Sequence, residues 1–205
     1  MELTGVVLAG GRSSRFGTDK AFARLGGCTL LERALAGVAA VCDDLVVVAA
    51  PGKDEASYAV AGARVTHDAV EGQGPVAGIV AGLRAARRSR ALVVAVDMPC
   101  LREDVLRLLA AAAPEADVVA PVVDGRPEPL CAVYATRAAE PMAEALARDV
   151  RKITDAFAGL TVRWVEESAL RALDPELRSF WNVNRPDDLA RIRGALGVGK
   201  EPSGT

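Results

Sequence analysis

The residues best suited to chemistry gather early in the chain, in LAGGRSSRFGTDKA at positions 8 to 21. Adjacent glycines, Gly10 and Gly11, lead into Arg12, Ser13, Ser14 and Arg15, and Lys20 follows after Gly17 and Asp19. Glycine amides approach an anion closely, because no β-carbon intervenes. Serine hydroxyls add donors, arginine presents a planar fork to phosphate oxygens, and lysine supplies a compact charge. Arg12, Arg15 and Lys20 place three cations within nine residues, enough to offset most of the charge of a nucleoside triphosphate. Composition alone reads the same stretch equally well as a solvated basic turn. Only four of the 25 basic residues are lysine, so a lysine kept in this loop suggests that its type matters.

Two carboxylates follow apolar runs in a way that places them near such a loop. Asp97 comes directly after Ala91-Leu92-Val93-Val94-Ala95-Val96, the most strand-like run in the chain, and Pro99 stiffens the exit. A lone carboxylate with triphosphate oxygens and water is how Mg²⁺ is commonly held, since the ion keeps much of its hydration. Asp97 is therefore the candidate metal ligand, with a turn or helix-cap role as the alternative. Asp68 follows the weaker run Arg64-Val65-Thr66, where a turn role is as plausible. His67 is the only histidine and reads as structural. The cysteines Cys28, Cys42, Cys100 and Cys131 are too scattered for a zinc or iron–sulfur pattern.

Those residues need elements to hold them. Val6–Leu8, Asp44–Ala49, Arg64–Thr66, Ala91–Val96, Asp117–Ala120, Leu130–Tyr134 and Thr161–Val165 read as strands. Helical patterns lie between them. One opens at Thr29 with the capping-box pair Thr29 and Glu32 and runs to about Val41. Another starts at Pro75 after a glycine-rich turn and runs through Arg88, with Arg84, Arg87 and Arg88 at its carboxyl end. Others span about Glu103–Ala113, Ala138–Ala147 and Arg151–Ala158, and the last begins at Pro186.

Alternating strands and helices with continuously apolar strands imply a single-domain α/β fold. It is a three-layer α/β/α sandwich with a mostly parallel, Rossmann-like sheet over residues 1–196, followed by a disordered tail at 197–205. Ligands in such folds sit at the carboxyl ends of the strands, where Gly10 to Lys20, Asp68 and Asp97 would meet.

The bulk numbers fit this picture. The 205 residues are 51% hydrophobic and 25% charged with a net charge of −2, and the isoelectric point is about 5.6. No nucleic-acid or anionic-membrane partner is indicated, so any functional positive charge is local. MELTG lacks the basic start and apolar core of a signal peptide, and the apolar runs fall short of the ~18 residues of a membrane span. A cytoplasmic protein is expected.

Two familiar phosphate motifs do not fit. Gly17 is followed by Thr18-Asp19-Lys20 and stands six residues after Gly11, which breaks GxxxxGK[ST]. Adjacent Gly10 and Gly11 break GxGxxG.

The loop instead resembles LAGGxSxRMGxDKA, the signature of the molybdenum cofactor guanylyltransferases, within the nucleotide-diphospho-sugar transferase-like fold. Phe16 stands where that family usually has methionine. Gly74-Pro75-Val76-Ala77-Gly78 resembles the family's GPLAG, Asp97-Met98-Pro99 its DMP, and Arg126 to Tyr134 (RPEPLCAVY) its RPEPLCALY. Trp181 to Leu189 (WNVNRPDDL) resembles WNVNTPEDL, with Arg185 in place of threonine. Ala49-Ala50-Pro51-Gly52 departs from the family, which often carries a nucleotide-binding asparagine there.

The resemblance implies GTP and molybdenum-bound molybdopterin as substrates, Mg²⁺ as cofactor, and transient contact with molybdopterin-delivering proteins and molybdoenzymes. It implies nucleotide contacts from Leu8, Ala9, Gly10, Gly11, Arg12, Ser13, Lys20, Asp68, Gly74, Pro75 and Asp97, with Lys20, Arg15 and Asp97 in catalysis. Arg126, Glu128, Asn182 and Asn184 would face the pterin substrate, although Asn182 and Asn184 also read as a turn and helix cap. Within the fold, transfer of CMP to the pterin or of a nucleotide to a sugar phosphate is the alternative, with Gly10 favouring guanine. A GTP-binding sensor or delivery partner is the non-enzymatic alternative.

Overall fold

The computed structural model describes residues 2–10, 19–67 and 74–197. In chain order its elements are β1 (Thr4–Leu8), hairpin strands β2 (Arg24–Leu25) and β3 (Cys28–Thr29), α1 (Leu30–Ala39), β4 (Asp44–Ala49), α2 (Glu55–Tyr58), β5 (Arg64–His67), α3 (Pro75–Ala85), β6 (Arg90–Ala95), α4 (Glu103–Ala111), β7 (Val118–Val123), β8 (Arg126–Pro127), β9 (Cys131–Ala135), α5 (Ala139–Ala147), β10 (Val162–Val165), α6 (Glu167–Arg171) and α7 (Pro186–Leu196).

The main sheet has the order β10-β7-β9-β6-β1-β4-β5, with β8 paired to β7 alone. Strand β1 runs parallel to β4 and β6, β4 to β5, and β7 to β10. Strand β9 is inserted antiparallel between β6 and β7. Alternation of side chains across the strands builds a core on each face. Val7, Val47 and Val94 pack on one side under α1 and α4, and Val6, Leu8, Val46 and Val93 on the other under α3 and α5. Burying such a Val or Leu side chain contributes about 1.5–3 kcal/mol. The expected three-layer α/β/α architecture with a mostly parallel sheet is therefore the observed one.

Local signals set several boundaries. Thr29 Oγ1 accepts from the Glu32 N–H at 3.1 Å, and the Thr29 N–H donates back to Glu32 Oε2 at 2.6 Å, the reciprocal box that starts α1. Helix α3 ends at Ala85, three residues before the expected Arg88, because Ala86 is extended. Arg84 alone lies in its last turn. Its guanidinium clasps Glu140, and Arg88 clasps Asp43 from the turn into β6. The expected helix at 151–158 is only a 3₁₀ turn, Asp155–Phe157. Ile153, Ala156 and Phe157 are each drawn into the core, and Gly159 with a φ of 84° ends the segment. The β2–β3 hairpin was not foreseen, although Gly26-Gly27 marks its turn. Residues 198–205, most of the expected tail, lie outside the described residues. No helix among the described residues is long and apolar enough to cross a membrane.

The amino-terminal edge of the sheet is tied by a carboxylate. Asp44 accepts from Thr4 Oγ1 at 2.7 Å, from the Arg87 N–H at 3.2 Å, and from the Arg64 guanidinium on both oxygens. Burial pushes its pKa up, but the bonds from Arg64, Thr4 and Arg87 outweigh this and hold it below the ordinary 3.8. A carboxyl group depressed in the folded state stabilises above its unfolded pKa, and that contribution is lost as pH falls through the folded one. Asp44→Ala is therefore expected to cost about 3 kcal/mol at pH 7. It should also flatten the decline of Tm with pH below about 4 that the wild type shows. Unchanged acid-limb curvature in thermal melts would remove Asp44 from that role.

Candidate active site

Strands β1, β4 and β6 run side by side in register. Leu8 pairs with both Val48 and Ala95, so the three chain segments that follow leave the sheet at one level. The Ala9 and Gly10 N–H groups still donate to Val48 O, at 2.9 and 3.0 Å, and the Val96 N–H donates to Leu8 O at 3.1 Å. A β-carbon at Gly10 would lie 3.2 Å from Ala50 N, so the close approach of the two segments favours glycine there. Gly11, Arg12, Ser13 and Arg15 lie outside the described residues, as does Asp68.

The chain re-enters at Asp19, whose Oδ1 accepts from the Ala21 N–H at 3.1 Å and caps a single 3₁₀ turn, Lys20–Phe22. From this turn Lys20 reaches across to the loop after β6. Its Nζ donates to Asp97 Oδ2 at 2.8 Å, and the two side chains are only 16% and 23% exposed. The other carboxylate oxygen, Asp97 Oδ1, is buried with no hydrogen-bond partner among the described residues. A buried, hard oxygen left without a donor is costly unless something electropositive meets it, and it suits a small divalent cation. No cluster of three or more metal-ligating side chains occurs among the described residues. Asp97 would therefore be the protein's own share of such a site.

The antiparallel β9 brings a second segment to the same edge. Because it runs against β6, the residues entering it arrive where β6 leaves. The Ala95 N–H donates to Leu130 O at 2.9 Å, and Leu130 in turn follows Glu128. The Tyr134 hydroxyl, fully buried, donates to Pro129 O at 2.7 Å and fixes this turn. Burial raises the Glu128 pKa above the ordinary carboxyl range, the Leu130 N–H opposes the shift, and the charge of Asp97 adds to it.

A third segment closes the edge from the carboxyl-terminal side. The Val183 N–H donates to Asp97 O at 2.9 Å, which ties the segment after Asn182 to the loop that carries Asp97. Asn182 Nδ2 donates to Phe180 O at 3.3 Å. The turn before it is pinned from within by Asp174, a buried carboxylate that accepts from the Ser179 N–H at 2.7 Å. Trp181 is flanked by the guanidinium groups of Arg178 and Arg191, 5.6 and 5.1 Å from the ring centroid.

A family model described as the MobA-like NTP transferase domain matches residues 5–164. The chain belongs to the MobA-like NTP transferase family. It is 38% identical over 200 residues to a molybdenum cofactor guanylyltransferase of Desulfosudis oleivorans, covering 97% of this chain and 98% of that one. A probable molybdenum cofactor guanylyltransferase of Chloroflexus aggregans is 36% identical, with 97% of each chain covered. Among solved structures, molybdopterin-guanine dinucleotide biosynthesis protein A of Archaeoglobus fulgidus superposes with a TM-score of 0.80 at 33% identity, covering 95% of this chain and 99% of that one. The 2-C-methyl-D-erythritol 4-phosphate cytidylyltransferase of Thermus thermophilus, at 22% identity and a TM-score of 0.73 over 97% of this chain and 100% of that one, shares the fold.

Set against this family's motifs, the structure gathers some expected site residues and leaves others apart. Lys20 and Asp97 are in contact, with Leu8, Ala9 and Gly10 at the same sheet edge. Gly74, with a φ of 78°, precedes Pro75 at the start of α3, a backbone angle that favours glycine. One turn on, Gly78 packs toward Leu8, so the helix begins near the β1 loop. The segment holding Glu128 leads into β9 beside β6, and Asn182 precedes Val183, whose N–H meets Asp97 O, whereas Arg126 is exposed on β8. Asn184 is exposed, and its N–H donates to Asp188 Oδ2 at 2.8 Å, as does that of Arg185. Arg185, not Asn184, is the N-cap of α7, and Asn184 stands one residue before it.

Sequence reasoning passed over two residues at this edge. Asp19 could have been noticed as an acidic residue just ahead of a helical turn. Tyr58, which donates to Asp19 Oδ2 from 39 positions away, carries no local signal.

Proposed function

We propose that this chain is a cytoplasmic guanylyltransferase that moves GMP from GTP onto the terminal phosphate of molybdenum-bound molybdopterin, releasing pyrophosphate. The observation that carries the reading is the Lys20–Asp97 pair at the end of β1 and β6, in a chain with full-length relatives bearing that activity in their names. An oxygen of the pterin phosphate would form the new bond to the α-phosphorus in line as the bond from that phosphorus to the β-phosphate bridging oxygen breaks. The electron pair leaves on pyrophosphate. A phosphate monoester is already anionic at neutral pH, with a second pKa near ~6, so no protein base is called for.

Catalysis then rests on positioning and charge neutralisation. Lys20, with Arg15 from the undescribed part of the loop, would stabilise charge growing on the α-phosphate and on the departing pyrophosphate. Leu8 to Gly11, Arg12 and Ser13 would hold the nucleotide with Asp68, Gly74 and Pro75. Glu128 and Asn182, with Arg126 and Asn184 at the rim, would face the pterin substrate. Asp97 fits Mg²⁺ through its orphaned Oδ1. The chemistry such an ion supplies is neutralisation and alignment of the reacting phosphate oxygens. Short-lived docking to the proteins that deliver the pterin and receive the product completes the reading.

The test is pyrophosphate release with Mg²⁺ and molybdenum-loaded molybdopterin, with GTP, CTP, ATP and UTP in parallel. Release with GTP alone is expected. Release with CTP instead would make the chain a cytidylyltransferase, and GTP binding without release would make it a sensor.

A further inference from the structure

Lys20 stands on a turn too short to hold itself in place. The 3₁₀ segment Lys20–Phe22 closes with only two backbone bonds, Phe22 N–H to Asp19 O at 3.1 Å and Ala23 N–H to Lys20 O at 3.0 Å. One isolated turn is intrinsically unstable, so its orientation is set by what surrounds it. Two pins converge from one side chain. The Tyr58 hydroxyl donates to Asp19 Oδ2, and Asp19 Oδ1 caps the turn through the Ala21 N–H. Two residues past Lys20, the Phe22 ring packs against the Tyr58 ring, with centroids 5.0 Å apart.

Tyr58 is itself firmly seated. It is 1% exposed at the end of α2, whose start is capped by Asp54 through the Ala56 N–H. Burial and the neighbouring Asp19 carboxylate push the phenol pKa well up, so the hydroxyl stays a donor through the working pH range. Lys53 also reaches Asp19 Oδ2, at 3.1 Å, but its side chain is 47% exposed, and an exposed ion pair constrains little. Tyr58 is buried and touches both ends of the turn, Asp19 through its hydroxyl and Phe22 through its ring.

We propose that Tyr58, acting through Asp19, is a positioning residue for Lys20 that holds the amine where it meets phosphate. This rests on the reading of Lys20 as a phosphate-contacting residue. A flexible four-carbon stem amplifies small errors at its base, and a displacement near 1 Å can cost ~100-fold in rate.

The experiment is a double-mutant cycle of Tyr58→Phe and Lys20→Ala, reading kcat and KM for GTP in pyrophosphate release. Tyr58→Phe, which keeps both rings in contact, is expected to lower kcat by about 10- to 100-fold with KM for GTP within about twofold. In the Lys20→Ala background the same change should cost less than about twofold, because the group it positions is gone. Wild-type kcat in Tyr58→Phe, or a full further loss on top of Lys20→Ala, overturns the proposal. Wild-type turnover in Lys20→Ala alone overturns the underlying reading of Lys20 instead. If Tyr58→Phe fails to fold, Asp19→Asn takes its place. It keeps an acceptor for the Ala21 N–H while weakening the bond from Tyr58, and the same loss and the same non-additivity are expected.

Discussion

Asp97→Ala is expected to leave a folded protein whose pyrophosphate release from GTP is down by about three orders of magnitude. The fold should survive because the link from this segment to the carboxyl-terminal part runs through the main chain, from the Val183 N–H to Asp97 O, and a side-chain change leaves it in place. The activity should not survive, because the substitution removes both carboxylate oxygens at the point where β6 ends. Oδ2 is the partner of Lys20, and Oδ1 is the buried oxygen with no donor among the described residues. Asp97→Asn separates the two contributions. It keeps the shape and a hydrogen-bond acceptor but drops the charge, so a loss as deep as that of alanine assigns the effect to charge. Near-wild-type rates in Asp97→Ala, with an unchanged Tm, would remove Asp97 from the reaction.

Lys20→Ala should be nearly as severe, at ~2–4 kcal/mol of transition-state stabilisation, roughly 30- to 800-fold in rate. Its second consequence has the opposite sign. Removing a cation 2.8 Å from Asp97 Oδ2 relieves competition for that carboxylate. Binding of Mn²⁺ in the absence of nucleotide should therefore tighten while turnover falls. Titration of Mn²⁺ into wild type and variant measures this directly. A variant that changes only in solubility or Tm, with its rate and metal affinity intact, would show that the loop does not cradle phosphate.

Much of the frame can be read from the chain because it rests on local patterns. Short β-branched apolar runs such as Ala91–Val96 read as strands buried on both faces, and Thr29 with Glu32 announces a helix start by spacing alone. Asp97 was legible for the same reason, as the first polar residue after the most apolar strand. What could not be read depends on partners distant in sequence. The antiparallel setting of β9 follows from its neighbours, since Leu130–Tyr134 looks like any other buried run. The segment at 151–158 has helical periodicity, but it forms only a 3₁₀ turn that seats Ile153 and Phe157 in the core. The Asp19–Tyr58 contact spans 39 residues and leaves no trace in either local pattern.

The reversed strand β9 has a consequence for how this enzyme family can diversify. In a wholly parallel sheet every segment at the ligand edge would be an exit from a strand, and all of them would crowd the same substrate. Turning one strand round lets an entrance, residues 128–130, serve that edge from the far half of the chain. Under the proposed assignment, it and the Asn182 segment would separate the acceptor's wall from the nucleotide's wall along the polypeptide. Replacing residues after about 120 could then retune the acceptor while Gly10, Lys20 and Asp97 stay untouched. One nucleotide engine would accept many different loads.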